Sequence, residues 1–183
     1  MLYIMRHGQT QWNAQGRLQG QTDIPLNEVG RAGAAAAREK YGEIPLDVCF
    51  ASPLKRALET AEIFLEGREV PIYTDDRLKE MFFGTFEGEY NVLKHPEYPI
   101  YPLFADPANY VPTGGTESYP ELYARLEAFL KEKVQLRLDK GENVLIVAHG
   151  AVNCCLLSIV RKTPLADIWK PFHPNCALIQ AEE

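Results

Sequence analysis

The chain begins MLYIMRHG (residues 1–8), where an apolar run passes directly into an arginine, a histidine and a glycine. Three more runs are rich in aliphatic and β-branched residues, at residues 46–51 (LDVCFA), 143–148 (NVLIVA) and 176–181 (CALIQA). The runs at 2–5, 46–51 and 143–148 are nearly continuous rather than alternating, which is typical of strands buried on both faces. We therefore expect a sheet that is covered by other elements on each side.

Helical patterns separate these predicted strands. The first covers residues 28–41, with Asn27 as its N-cap and Gly42 as its C-cap. The second follows the next strand, with Ser52 as its cap and Pro53 at its first position. Both helices carry apolar residues on one face, so each is expected to pack on the sheet.

Two further helices are expected at about residues 119–138 and after Gly150. Strands that alternate with helices predict parallel βαβ units, and hence a three-layer α/β/α sandwich with a mostly parallel sheet. Residues 78–116 interrupt the pattern because they are rich in aromatic residues and prolines. We interpret this segment as an irregular cap within a single domain that covers residues 1–183.

Composition excludes several classes of protein. The 183 residues are 46% hydrophobic and 24% charged, which is typical of a globular domain. A formal charge of −6 argues against nucleic-acid binding. The apolar runs are shorter than the roughly 20 residues that span a bilayer, and Arg6 and His7 interrupt any secretory leader. We expect a cytoplasmic protein, with its four cysteines reduced and buried in the core.

Polar residues follow three of the predicted strands. Arg6 and His7 follow the first, Arg56 comes soon after the second, and His149 follows the third. Because the carboxyl ends of parallel strands meet at one edge of a sheet, these side chains are expected to converge. Two guanidinium groups and two imidazoles would form a positive pocket in an acidic protein. Such a pocket suits a dianionic phosphoryl group.

Four separated motifs together resemble the histidine phosphatase superfamily, also called phosphoglycerate-mutase-like. They cover nearly the whole chain in the order that the family has, and together they are far more specific than Arg-His-Gly alone. The motifs are IMRHGQT at 4–10 with GRLQG at 16–20 and DIPL at 23–26, SPLKRALETA at 52–61, LKE at 78–80, and VAHG at 147–150.

The resemblance implies a two-step phosphoryl transfer that needs no metal and no cofactor. His7 would be the nucleophile and would form a phosphohistidine. Arg6, Arg56 and His149 would hold the phosphoryl oxygens in place of a metal. Glu80 would be the proton donor, and the apolar residues that follow it would raise its pKa.

Further site positions depend on the register of the motifs. Glu87 and Glu89 are nearby competitors for the role of the acid, and only the register of the LKE motif favours Glu80. The resemblance also implies that further phosphate contacts come from Asn13, Gln19, Gly20 and the amide of Ala151. His95 and His173 match no motif, and we interpret them as structural or surface residues.

The expected substrate is a small phosphomonoester, and the strings at 16–20 and 25–28 look most like the α-ribazole phosphatase and broad-specificity branch. Mutases of the family are longer, with a larger insertion and a tail over the site, so hydrolysis is favoured. A phosphoglycerate mutase, or an inactive module that binds phosphate or a protein, remains an alternative. The oligomeric state stays open.

The cap aromatics have two interpretations. They would either form a wall for an aryl or nucleoside-like leaving group, or simply pack on the sheet. They are Phe82, Phe83, Phe86, Tyr90, Tyr98, Tyr101, Phe104 and Tyr110.

Overall fold

The computed structural model describes residues 1–182 and shows an α/β fold built on one five-stranded sheet. In space the strands run in the order β3-β2-β4-β1-β5. All neighbours pair in parallel except the last two, which are antiparallel. The prediction of a mostly parallel sheet is therefore confirmed. The strands are β1 (Leu2–Arg6), β2 (Val48–Ala51), β3 (Ile72–Thr74), β4 (Val144–Ala148) and β5 (Leu178–Gln180).

Helices occupy most of the connections between strands. A π-helical turn at Leu130–Val134 joins two of them. Within residues 1–182, no helix is both long enough and apolar enough to cross a bilayer. The helices are α1 (Gln11–Gln15), α2 (Glu28–Tyr41), α3 (Lys55–Phe64), α4 (Tyr101–Ala105), α5 (Tyr119–Phe129), α6 (Gln135–Leu138) and α7 (Gly150–Arg161).

The two faces of the sheet carry separate cores. On one face, Met5 and Val147 pack with residues of α2 and α3, such as Phe64. On the other face, Ile4 and Ile146 pack with α5, α7 and the cap. Successive residues of one strand point to opposite faces, so a continuous apolar run is what a sheet covered on both sides requires. The three-layer arrangement follows directly.

Two strand predictions need correction. The sequence analysis did not find β3, which has three residues and lies at the edge of the sheet with Tyr73 and Thr74 exposed. A short, half-exposed strand lacks the apolar run that identifies a buried one. The last strand is shorter than the predicted 176–181, because Cys176 has φ of 58° and therefore leaves the extended conformation.

The first two helices are predicted with different success. Residues 28–41 are helical as expected, and the Asn27 side chain accepts from the Gly30 amide. Ser52 and Pro53 do not begin the second helix, because Leu54 is the extended N-cap residue and α3 starts at Lys55. The Ser52 hydroxyl instead accepts from the Leu54 amide at 3.3 Å. Pro53 therefore lies in the turn that leads from β2 into α3.

The long helix predicted at 119–138 exists, but the π turn divides it into α5 and α6. A capping box between Ser118 and Glu121 defines its start. Residues 78–116 form the expected irregular cap, which contains short 3₁₀ turns and α4. Ile100 and Leu103 anchor it, since both side chains are fully buried against the sheet.

Candidate active site

The carboxyl edge of the sheet carries a cavity of about 580 Å³. Arg6, at the end of β1, and the following His7 line it. Arg56 of α3 and Glu80 of the cap line it as well. His149 follows β4, and its ring centroid lies 5.1 Å from that of His7. The four basic side chains therefore converge at this edge, as expected for residues that follow parallel strands, and Glu80 reaches the same cavity from the cap.

His7 is held in one tautomer. Its Nδ1 lies 2.6 Å from the carbonyl oxygen of Gly8. A carbonyl only accepts, so Nδ1 carries the proton and Nε2 keeps its lone pair. Burial lowers the pKa of His7 well below 6.5, and the positive charges of Arg56 and Arg6 lower it further. The ring is therefore neutral at physiological pH, with a free lone pair for attack.

The turn that positions His7 is itself fixed by two residues. The Gly8 amide donates to the Thr60 hydroxyl at 2.9 Å, and that hydroxyl donates to the Arg56 carbonyl at 2.6 Å. A Cβ on Gly8 would lie 2.6 Å from the carbonyl oxygen of Gly30 in α2. A side chain at position 8 would therefore push the loop that carries His7 away from α2.

The two arginines keep one side free of partners while another side is anchored. Arg56 is fully buried and donates to the carbonyls of Thr22 at 2.9 Å and Gly20 at 2.6 Å. Arg6 donates to the His173 carbonyl at 2.9 Å. Burial lowers the pKa of Arg56 to about 10, so this guanidinium remains cationic near neutrality. Burial also lowers the pKa of Arg6, and the nearby Glu80 carboxyl opposes that shift.

Unpartnered polar atoms surround the His7 ring. His149 is fully buried, and within residues 1–182 neither of its ring nitrogens has a hydrogen-bond partner. The Nε atoms of Arg6 and Arg56 are also buried without a partner. Burial lowers the pKa of His149 well below 6.5, and Arg56 lowers it further. Since buried polar groups are normally paired, this cluster is suited to the oxygens of an anion.

Glu80 is buried and accepts hydrogen bonds from three amides: Met81 at 2.8 Å, and Ala151 and Val152 at 3.2 Å each. Burial raises the pKa of its carboxyl, although these amides and Arg56 oppose the rise. The Ala151 amide was expected to bind phosphate, but it donates to Glu80 instead, because the start of α7 faces this carboxyl. In this structure the helix amides therefore orient the candidate acid, and a phosphate contact of the Ala151 amide stays a prediction.

The competing carboxylates have other partners. Glu87 accepts from the amides of Gln21 and Thr22 at 2.9 Å each, and it therefore clamps the loop that carries Gly20. Glu89 is exposed and accepts from the Tyr98 hydroxyl at 3.3 Å. Neither carboxylate lines the cavity. Among the three candidates, only Glu80 occupies a position from which it can donate a proton to a ligand there.

Asn13 and Gln19 line the cavity with their amide oxygens already engaged. Asn13 Oδ1 accepts from the Thr10 amide at 3.0 Å, and Gln19 Oε1 accepts from the Thr10 hydroxyl at 2.8 Å. The amino groups of both side chains remain available as donors. Gly20 also lines the cavity, but its carbonyl binds Arg56 and a Cβ there would collide with Glu87. Its main contribution is to the shape of the loop.

Aromatic rings form the remainder of the cavity wall. Of the eight cap aromatics, Phe83, Tyr101 and Phe104 line it. Trp169 and Phe172, from the segment between α7 and β5, complete the wall. Of the other five cap aromatics, Phe86, Tyr98 and Tyr110 pack on the core, and Phe82 and Tyr90 are exposed.

The comparison with known families agrees with this geometry. The family model of the histidine phosphatase superfamily (branch 1) matches residues 2–182. The chain belongs to the histidine phosphatase superfamily. The resemblance stated from the four motifs is therefore confirmed.

The proteins similar to this chain include a phosphatase and a mutase. The adenosylcobalamin/alpha-ribazole phosphatase of Salmonella typhimurium is 34% identical over 173 residues, covering 92% of this chain and 83% of that protein. The 2,3-bisphosphoglycerate-dependent phosphoglycerate mutase 2 of Gloeobacter violaceus is 33% identical over 171 residues, covering 90% and 77%. The solved structure of Bacillus stearothermophilus YhfR has a TM-score of 0.86 at 34% identity, covering 98% and 90%. The chain is therefore an enzyme of the phosphatase and mutase type.

Several residues that shape the candidate site were not found from sequence. Thr60 and Gly30 lie in predicted helices, where a hydroxyl and a small residue are unremarkable by type. Trp169 and Phe172 lie in a proline-containing connection without a periodic pattern. His95 is exposed and bonds to Glu97, as expected of a surface residue. The signal that was available is the presence of glycine in the first turn of α2.

Proposed function

We propose that the protein hydrolyses small phosphomonoesters through a phosphohistidine on His7, without a metal ion. The observation that carries this proposal is the His7 hydrogen bond to the Gly8 carbonyl, which leaves Nε2 unprotonated beside two cationic guanidinium groups. A neutral imidazole can attack an anion whose charge the arginines balance. Since those cations supply the charge that a metal would otherwise supply, we expect turnover in the presence of a chelator.

In the first step, Nε2 of His7 attacks phosphorus in line, forming a nitrogen–phosphorus bond as the bond to the ester oxygen breaks. Glu80 gives its proton to the departing oxygen, which leaves as an alcohol. The raised pKa of Glu80 favours the protonated form that this step needs. The three amides that point at Glu80 then stabilise the carboxylate that remains.

In the second step, the Glu80 carboxylate takes a proton from water, and the resulting hydroxide attacks phosphorus. The nitrogen–phosphorus bond breaks, phosphate leaves, and neutral His7 is restored. Throughout both steps, Arg6, Arg56 and His149 are proposed to hold the equatorial oxygens, where charge accumulates in the loose transition state. The amino groups of Asn13 and Gln19 add donors to the same oxygens.

Hydrolysis is favoured over transfer to a second hydroxyl because the cavity opens to solvent. Leu93 and Phe172, which line it, are 58% and 50% exposed. Water can therefore reach the phosphorylated histidine. A mutase must keep water away from this intermediate until the acceptor hydroxyl is bound.

The test is phosphate release from p-nitrophenyl phosphate with EDTA present. We expect turnover by the wild type and none by His7→Ala. For Glu80→Gln we expect a loss of about 10²- to 10⁴-fold in kcat that arises in the second step, where Glu80 activates water, because p-nitrophenolate leaves without being protonated. Glu89→Gln is the matched control, because Glu89 is an exposed carboxylate of the same segment outside the cavity. It should retain full activity.

Two outcomes would contradict the proposal. Undiminished release by His7→Ala would exclude the phosphohistidine. Absence of release, together with interconversion of 2- and 3-phosphoglycerate that depends on the bisphosphate, would identify a mutase. An acid-labile, alkali-stable phosphoenzyme, trapped in the wild type and absent from His7→Ala, would support the assignment directly.

A further inference from the structure

The cavity beyond the phosphate groups is lined by a continuous row of aromatic rings. The ring centroid of Phe83 lies 6.1 Å from that of Phe104, which lies 5.1 Å from that of Trp169. Trp169 is in turn 6.2 Å from Phe172. These spacings fall in the range at which aromatic rings contact one another. We call these four residues the aromatic row.

Both ends of the aromatic row border the candidate catalytic groups. Phe83 lies three positions after Glu80 and is buried. Phe172 packs over the guanidinium group of Arg6, with 4.5 Å between the guanidinium carbon and the ring centroid. A ligand whose phosphoryl group sits beside His7 would therefore bring its leaving group against the row.

The row is held rigidly from behind. Trp169 Nε1 donates to the Leu103 carbonyl at 3.0 Å, and the Tyr119 hydroxyl donates to the same oxygen at 2.7 Å. Leu103 is fully buried and directly precedes Phe104. Phe104 and Trp169, at the centre of the row, therefore need little further ordering when a ligand binds, which reduces the entropic cost of stacking.

Packing of the cap does not by itself require aromatic residues in the cavity. Phe86, Tyr98 and Tyr110 belong to the same cap and pack against the core, yet none of them lines the cavity. Phe104 and Trp169 contact the core and line the cavity as well. The aromatic residues therefore form two groups: one only packs on the core, and the other lines the cavity in which a ligand would bind.

The two cations of the cavity wall other than Arg6 and Arg56 are either engaged or exposed. Arg17 lines the cavity, but its three side-chain nitrogens donate to Gln15, to the Gly88 carbonyl and to Tyr90. Lys94 lies on the exposed rim. At about 580 Å³ the cavity is much larger than a phosphate group and lies within the range of sites for small organic ligands.

We propose that the preferred substrates are phosphomonoesters whose leaving group carries a planar aromatic ring, which stacks on Phe104 and Trp169. This inference rests on the phosphatase function proposed above and adds the class of leaving group to it. Short carboxylated esters such as 3-phosphoglycerate lack an apolar face for the row and leave these rings in contact with water. They are therefore poorer substrates.

The test compares four esters of primary alcohols, so that differences in leaving-group basicity stay small: benzyl, cyclohexylmethyl and propyl phosphate, and 3-phosphoglycerate. We expect the highest kcat/KM for benzyl phosphate, with an advantage of about three- to tenfold over cyclohexylmethyl phosphate, which is apolar but not planar. Equal values for these two esters would overturn the proposal, as would a preference for 3-phosphoglycerate.

Variants of Phe104 test whether this ring causes the preference for benzyl phosphate. Phe104→Leu should raise KM for benzyl phosphate about three- to tenfold while leaving propyl phosphate nearly unchanged, and Phe104→Tyr should restore the low KM. Tyr98→Ala, an aromatic residue of the cap outside the cavity, is the control and should change neither value. If Phe104→Leu shifts KM equally for both esters, stacking is excluded.

If wild-type protein releases phosphate from no ester, the proposed function fails together with this inference. Release of phosphate without a preference for benzyl phosphate overturns this inference alone.

Discussion

Thr60 joins the nucleophile loop to α3 through a single hydroxyl group, which accepts from the Gly8 amide and donates to the Arg56 carbonyl. Gly8 in turn supplies the carbonyl that holds the proton on His7 Nδ1. One buried hydroxyl therefore influences both the tautomer and the orientation of the nucleophile. A group of this kind acts through its neighbours and not on the substrate.

Replacement of that hydroxyl is expected to be costly. Thr60→Val keeps the shape of the side chain but leaves the buried Gly8 amide without an acceptor, at a cost of about 1–3 kcal/mol in the free energy of unfolding. We expect kcat to fall at least about tenfold with a smaller change in KM, because the lost geometry concerns the attacking atom. Urea unfolding and steady-state kinetics measure the two effects. Thr60→Ser retains the hydroxyl and should stay close to the wild type; an equal loss in both variants would refute this role.

At the scale of elements, α2 must approach the loop after β1 very closely. Gly30 lies in the first turn of α2, and a Cβ there would lie 2.8 Å from the Gln9 amide nitrogen and closer still to the Gln9 carbonyl oxygen. Gly33, one turn later, faces the Cys176 thiol, and its Cβ would lie 3.4 Å from that sulfur, an ordinary contact. The close approach of α2 to the loop after β1 therefore requires a glycine at position 30 but not at position 33.

The two glycines allow a matched comparison. Gly30→Ala should force α2 away from the nucleophile loop, lowering the free energy of unfolding by about 1–3 kcal/mol and reducing kcat. Gly33→Ala should stabilise the protein by up to about 1 kcal/mol, because alanine is the better helix former, and should leave activity unchanged. Thermal unfolding and p-nitrophenyl phosphate hydrolysis distinguish them. If the two variants had the same stability and the same activity, the close contact at Gly30 would not be what requires a glycine there.

For the whole molecule, the buried histidines make stability depend on pH. Burial lowers the folded-state pKa of His7 and His149 well below 6.5, so below that pH the unfolded chain binds protons that the folded protein does not. The free energy of unfolding should therefore fall as the pH drops below about 6.5, by up to about 1.4 kcal/mol per pH unit for each histidine. Glu80 acts in the opposite direction, since its raised folded pKa makes stability fall as the pH rises above about 4.5.

Urea unfolding at pH values from about 7.5 to 5.5 measures this dependence. In a Glu80→Gln background, which removes the opposing carboxyl, His149→Gln should clearly reduce the slope of the free energy of unfolding against pH. His7 and the partly buried His173, whose pKa burial also lowers, keep the rest of the slope. His95→Gln changes an exposed histidine of the cap and is the control for a general effect of losing an imidazole. If the free energy of unfolding changed equally steeply with pH in the presence and absence of His149, this account of the acid sensitivity would be contradicted.

The continuous apolar runs at residues 2–5, 46–51 and 143–148 were sufficient to predict the covered sheet, because burial on both faces removes the alternation of an exposed strand. The same criterion does not identify the edge strand β3, because Tyr73 and Thr74 are exposed and the strand has no continuous apolar run. The start of α3 was misplaced because Ser52 and Pro53 are typical of helix starts, whereas here they form the turn before it. Residue types that favour a helix start are therefore overridden where the chain must first turn from a strand towards the next helix.

The sequence alone determined the chemical types at the site: two histidines, two arginines and one acid, at positions that follow strands or belong to the cap. Motif order was enough for this, because each type is needed for the reaction whatever its surroundings. Only the tertiary structure decided that the Ala151 amide serves Glu80, that Gly8 holds the His7 proton, and that Trp169 and Phe172 complete the cavity. These are contacts between groups far apart in the chain, and their distances depend on how the layers pack.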